Sequence, residues 1–367
     1  MTAWTPAQWR AAILDEARRL EFDLAGVAAV EAFPDLHHFA DWITRGRAGA
    51  MHYLSRRSAA SPPAGSEAAS SDASFPFVRQ DVRHAFPWAR SVICCGLLYN
   101  TPYPHSTECG SPVHGWISRY AWGDDYHAVV LDGMRQLAAA LQRLAGGAAA
   151  TRVYVDTGPL VERAYAAQAG LGWIGKNTCL LHEAAGSFYF LGALITDLVI
   201  AGDTPLPDRC GSCTRCLEAC PTGALDQPYQ MDASRCIAYL NIELRGPIPE
   251  EFRSHLGQQV VGCDICQDVC PWNWEAPVTA RPAFQPRPGL FHPELEELAA
   301  LSEEQFRERF RGSAVKRVKY RGLLRNVALA MGNSRLTSFR PTLLRLAAGP
   351  DAVVAEAAQW ALAQLDD

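Results

Sequence analysis

The chain has 367 residues, 49% of them hydrophobic and 20% charged, with a formal net charge of −5. That is the balance of a globular protein long enough for two or three cored domains. An acidic total argues against a surface that coats nucleic acid throughout, so any RNA contact must come from a local basic patch. No run of about 18 or more apolar residues occurs, which argues against a membrane span.

The N-terminal stretch MTAWTPAQWRAAILDEARRL reads as an amphipathic helix. It lacks the basic start, apolar middle and small-residue cleavage site of a signal peptide, and the expected location is the cytoplasm. Ser58–Ser74 is rich in Ser, Ala, Pro and Gly and reads as a flexible surface loop. SVICCGLLY, Ser91–Tyr99, is a short apolar run expected to be a buried strand. Asp124–Leu144 has helical spacing and stops at Gly146-Gly147. RVYVD, Arg152–Asp156, reads as a strand, and a helix follows with Pro159 in its first turn and Gly170 at its end. Ser187–Ile200 is another buried strand region. Residues 1–200 thus form a mixed α/β or α+β domain, 201–285 a Pro- and Gly-containing cysteine segment, and 286–367 a helical segment. In the last, RGLLRNVALAMGN is expected to end at Gly332-Asn333, and a further helix to start behind Asp351 as its N-cap. Paired helices of this length suggest a short helical repeat.

Twelve cysteines are present, and eight fall between Cys210 and Cys270. In a reducing compartment that density points to metal ligands rather than disulfides. One motif is Cys210-x2-Cys213-x2-Cys216-x3-Cys220-Pro; the other is Cys263-x2-Cys266-x3-Cys270-Pro, with Cys236 between them. In two-cluster ferredoxins three close cysteines hold one cubane and the cysteine before proline reaches across to the other. That logic assigns Cys210, Cys213, Cys216 and Cys270 to one [4Fe-4S] cluster. Cys220, Cys263, Cys266 and Cys236 serve the second, and no ligand is left over. Two structural zinc sites are the alternative, although these usually pair two CxxC units. Of the scattered cysteines, Cys94 and Cys95 read as small core hydrophobes.

The order YVDTGPLVERAYAAQAGLGWIGKN, CGSCTRCLEACPTGAL, RCIAYLNIE, GCDICQDVCPWN, KRVKYRGLLRNVALAMGN resembles the epoxyqueuosine reductase family over most of the chain. The Ser58–Ser74 loop looks like an insertion relative to it. The resemblance implies an α+β fold: a cobalamin-binding domain related to reductive dehalogenases and nitroreductases, a ferredoxin-like double [4Fe-4S] domain, and C-terminal HEAT-like helices. It implies reduction of the epoxide of epoxyqueuosine to queuosine at the wobble position of tRNA, the last step of queuosine synthesis. It further implies bound cobalamin, an external low-potential electron donor, a tRNA partner and a monomer.

The family's proton donor matches Asp156, for which an apolar pocket is expected to favour the protonated acid; read without the resemblance, Asp156 caps the next helix. Arg79, Ser118, Leu180, Glu243 and Asp264, with Asp156, match positions at the corrinoid. His127 on its helix is read as structural. Lys176 in GWIGKN reads as a phosphate or amide contact or as part of a tight turn. Arg309 to Arg325 holds seven basic residues and no acid. Of these, Lys316, Arg317, Lys319, Arg321 and Arg325 are the expected RNA contacts, a solvated helix face being the alternative. Trp272 and Trp274 either shield a cluster or stack a base. A reductive dehalogenase acting on a small molecule, or a bare electron carrier, would use the same cysteine pattern.

Overall fold

The computed structural model describes residues 4–58 and 77–366. Ser58 apart, the expected Ser58–Ser74 loop therefore lies outside the described residues. The chain divides into two compact units, residues 1–98 with 127–212 and residues 99–126 with 213–367. Residues 99–126, read from sequence as part of the first segment, join the cysteine segment and the C-terminal helices. Trp116–Ile117 makes that connection by pairing in parallel with Gln259–Val261.

In the first unit a four-stranded sheet runs in the order Leu24–Ala29, Ser91–Leu98, Tyr189–Thr196, Thr151–Tyr154. Every neighbouring pair is antiparallel, which with the helices on its faces makes the fold α+β. All eight residues of Ser91–Leu98 are buried, as in a strand covered on both faces. The register shows how. Cys94 pairs with Gly26 and Ala193, and Cys95 with Ala25 and Gly192. A Cβ on Gly26 would strike the Ala169 carbonyl oxygen at 2.0 Å, and one on Gly192 would strike Met134 Cγ at 2.6 Å. The end of the Glu162–Gln168 helix thus packs on one face and the Tyr126–Leu144 helix on the other. Cys94 and Cys95 are core side chains, and burial drives both thiols far above their ordinary range.

The helix expected from Pro159 begins only at Glu162, with Val161 as an N-cap that makes no side-chain cap bond. Asp156 stands too far upstream to cap it, so the capping alternative falls. Its φ of 62° ends the strand, since a left-handed L residue continues neither strand nor right-handed helix.

In the second unit the short helices Arg215–Glu218 and Ile265–Asp268 pack on each other. Each occupies the same place in its cysteine motif and carries Cys216 or Cys266. The C-terminal helices are Lys319–Ser334, Arg340–Ala347 and Ala352–Gln364. Asp351 caps the last by accepting from the Val353 and Val354 amides. Gly332 does not stop its helix, which runs on to Ser334 and closes at left-handed Arg335. A Cβ on Gly332 would meet Ala361 Cα at 2.7 Å, so this glycine serves a close helix crossing. No helix among the described residues is long and apolar enough to cross a membrane.

Candidate functional site

None of the twelve cysteines is disulfide-bonded. In the second unit a buried amide brings two distant cysteine segments together. Asn241, on the π-helical turn Tyr239–Glu243 that follows Cys236, donates to the carbonyls of Gln259 and Gly262 at 3.2 and 2.8 Å. Its own oxygen accepts from Gly262 N at 2.9 Å, immediately before Cys263. Asn326 donates at 2.8 Å to both Asn241 O and Val260 O, clamping the same two segments from the long C-terminal helix. The result seats Cys263 near Cys236 and Cys220. Its thiol is pushed well above the ordinary range by burial first and then by Cys236, with a smaller contribution from Cys220. Thiols that so resist ionisation together become thiolates when a cationic centre compensates them. Among the described residues no three His, Cys, Asp or Glu side chains gather closely enough to hold a single ion. A cubane takes one thiolate at each of four separated irons and spreads its ligands wider than a tetrahedral zinc does.

Cys210 belongs to the first unit. Burial raises its pKa, while the Lys176 backbone amide, more than the nearby Trp173 indole, pulls it down. Such donors suit a ligating thiolate. Lys176 itself is buried, and its Nζ donates to Gly211 O at 2.6 Å. The tight-turn reading of GWIGKN holds, because the ammonium ties this turn to the first cysteine loop.

The Asp156 turn is assembled in the first unit from three elements. The Asp156 amide donates to Glu162 Oε1 at 2.7 Å. His127 Nε2, from the first turn of the Tyr126–Leu144 helix, lies 3.4 Å from Asp156 Oδ2. Arg79 acts on Glu162 electrostatically. The burial expected of Asp156 falls instead on Glu162, while the Asp156 side chain is 63% exposed. Burial, then the Asp156 charge, pushes the Glu162 carboxyl up to about 8. Sequence reasoning missed Glu162 because an acid in the first turn of a helix is ordinarily read as matching the helix dipole. His127 was set aside as a structural histidine; its place beside Asp156 is visible only in the fold.

Several other expected contacts are engaged internally. Asp264 is buried and accepts from Trp116 Nε1 at 3.0 Å, from Arg119 N at 2.7 Å and from Ser118 Oγ. Its carboxyl is pushed up by burial and by nearby Asp268. Asp264 and Ser118 thus fasten the second cysteine loop to the 116–119 segment. Leu180 is buried, and its carbonyl accepts from Tyr189 Oη at 2.8 Å. Glu243 makes a two-pronged pair with Arg317, at 2.8 and 3.0 Å. Trp274 is exposed, with the Arg215 guanidinium 5.1 Å from its ring.

The basic run divides. Lys316, Arg317, Lys319 and Arg321 are exposed, although Lys316 pairs with Asp125 at 2.8 Å and Arg321 with Asp351 at 2.6 Å. Arg325 differs from them: it is 1% exposed and donates to the carbonyls of Leu240, Leu244 and Gly246. A guanidinium so enclosed supports the π-helical turn.

Two family descriptions match the chain: a 4Fe-4S double cluster binding domain over residues 209–273, and epoxyqueuosine reductase QueG, DUF1730 over residues 79–157. An epoxyqueuosine reductase of Pseudomonas aeruginosa is 38% identical over 97% of this chain and 94% of its own. The crystal structure of an epoxyqueuosine reductase with a tRNA-Tyr epoxyqueuosine-modified stem loop superposes with TM-score 0.83 at 31% identity, over 99% of this chain and 92% of that one. The Bacillus subtilis epoxyqueuosine reductase, solved with its aspartate-bearing catalytic loop swung out of the active site, superposes with TM-score 0.81 at 30% identity, with the same coverage.

Proposed function

The chain belongs to the epoxyqueuosine reductase family, and from that premise we propose how its own residues divide the work. The enzyme reduces epoxyqueuosine in tRNA to queuosine. Both carbon–oxygen bonds of the epoxide break, a carbon–carbon double bond forms, and the oxygen leaves as water after two electrons and two protons have entered. We assign Cys210, Cys213, Cys216 and Cys270 to one [4Fe-4S] cluster and Cys220, Cys236, Cys263 and Cys266 to the other. When bound, the clusters relay single electrons and cobalamin supplies a low-potential cobalt centre for the bond-breaking reduction.

The protein's part is to place a proton. Asp156 is the donor to the departing oxygen. The observation that carries this reading is its presentation: an exposed carboxyl on a left-handed turn, flanked by His127 and fixed through its amide. His127 is placed to return a proton to it between turnovers. Arg79, on the same side of the first unit as Glu162, would hold a polar edge of the corrinoid. The turn is expected to swing, as the aspartate loop of the Bacillus subtilis enzyme does.

Lys316, Arg317, Lys319 and Arg321 offer the phosphate backbone a positive face on a C-terminal segment of HEAT-like helices. On this reading residues 1–200, of the nitroreductase-like cobalamin-binding kind, do the chemistry. Residues 201–285 deliver electrons from an external low-potential donor, and 286–367 dock the tRNA. The enzyme works as a cytoplasmic monomer.

The test is anaerobic reconstitution with iron, sulfide and cobalamin, followed by mass spectrometry of nucleosides from epoxyqueuosine-containing tRNA. Queuosine should appear with the wild-type enzyme. Asp156→Asn should lower its yield about 1000-fold at unchanged iron and cobalt content; turnover at the wild-type rate in that variant would sink the assignment.

A further inference from the structure

We propose that Glu162 is a positioning residue, a latch that holds the Asp156 turn in the left-handed conformation presenting its carboxyl. The inference rests on the reading of Asp156 as proton donor. An L residue other than glycine keeps a positive φ only where its surroundings hold it there, and Asp156 has φ 62°. Its amide reaches Glu162 Oε1 at 2.7 Å across six residues. That bond closes the irregular segment between the Thr151–Tyr154 strand and the Glu162–Gln168 helix into a loop. The helix end that carries Glu162 is itself fixed, since Tyr165 and Ala167 pack in the core on the sheet face that bears Cys94 and Ala193. The latch therefore ties a turn that must swing to an element that cannot.

The charge on the latch matters because the donor carboxyl stands beside it. The hydrogen bond from the Asp156 amide, then Arg79 and His127, favour the ionised form of Glu162, but burial and the Asp156 charge outweigh them and push the carboxyl up to about 8. Near neutral pH Glu162 is thus an uncharged acid. It accepts the amide without setting a second negative charge against Asp156 once that residue has given up its proton. Above about pH 8 it ionises, the two carboxylates repel, and the latched position is disfavoured.

The test uses the reconstituted full-length enzyme and an epoxyqueuosine-containing tRNA, with single-turnover rates from about pH 6 to 9 and tRNA affinity measured in parallel. Glu162→Ala should slow the single turnover about 100-fold, the scale of a misplaced catalytic group, with tRNA affinity within about twofold. Glu162→Gln keeps a neutral acceptor and should recover at least about tenfold of that loss. Wild type should show an alkaline fall near pH 8, and that fall should be missing from the Glu162→Gln profile. A wild-type rate in Glu162→Ala alongside an inactive Asp156→Asn overturns the latch, and so does a Glu162→Gln no better than Glu162→Ala. A fully active Asp156→Asn instead sinks the donor reading, and the latch with it.

Discussion

The cysteine loops of the second unit and the Asp156 turn of the first are built on opposite principles. Around Cys236 and Cys263 the backbone is over-determined: Asn241 and Asn326 contribute five buried hydrogen bonds and Arg325 three more to backbone carbonyls. Around Asp156 the backbone is strained and its carboxyl is exposed, and the turn is tied by the Asp156 amide to Glu162 and by the Thr157 amide to Val155 O at 2.7 Å. Electron transfer rewards a scaffold that does not move, because cluster ligands must keep their geometry through every redox change. Proton delivery into a large substrate needs a group that can be presented and withdrawn. The contrast predicts that damage to the first region shows as lost metal and lost stability, and damage to the second as lost rate in a folded protein.

The largest effect should come from Cys236→Ser. It removes the thiolate that the two close-spaced motifs cannot replace, so iron and sulfide should fall to about half and queuosine formation should vanish. Full iron content in that variant would break the assignment of Cys236. Asn241→Leu comes next. It leaves the Gly262 amide and two carbonyls buried without their partner, and should lower stability by about 3 kcal/mol, read from the urea midpoint. A loss no larger than that of an ordinary surface substitution would mean that the scaffold is less determined than its hydrogen bonds suggest.

The Asp156 turn should respond to pH instead. Glu162 has a folded-state pKa raised to about 8 from the 4.5 of an ordinary glutamate. Between those values the folded chain holds a proton that the unfolded chain has released. The stabilising contribution is therefore complete below the unfolded pKa and is lost as pH rises through about 8. The loss should be about 2 kcal/mol, less than the full shift implies because solvent reaches part of the side chain. Glu162→Gln, which cannot ionise, should remove this slope from a plot of stability against pH. A slope unchanged by the substitution would place the titrating group elsewhere.

The same contrast explains what the sequence disclosed. Cubane ligation is a local geometry, so the spacing Cys210, Cys213, Cys216, Cys220 carries its chemistry in one dimension. The Ser91–Leu98 strand was legible because covering both faces demands a continuous apolar run, and Asp351 because capping is local. Glu162 and His127 acquire their roles from the elements that converge on Asp156, and no spacing encodes that. Gly332 looked like a stop and proved to be a contact with Ala361, since a glycine needed for close approach and one needed for a turn are written alike. Asp264 followed the family pattern beside a ligand, but its three donors are remote in sequence.

Charge in the basic run tests the comparison at its weakest effect. Arg325 and Lys319 lie six residues apart and were read alike, yet one is enclosed by backbone carbonyls and the other is exposed. If the exposed side chains touch phosphate, Lys319→Ala should weaken tRNA binding only about threefold and reduce the slope of log affinity against log salt by about 0.7 to 0.9, one contact's worth. It should leave the melting temperature unmoved. Arg325→Met should do the reverse, because the carbonyls of Leu240, Leu244 and Gly246 lose their donor while no phosphate contact is removed. Stability should fall and the salt slope should stay. A salt slope that drops equally in both variants would mean that Arg325 leaves its buried site when tRNA docks, and the scaffold under Cys236 would then be as movable as the turn that carries Asp156.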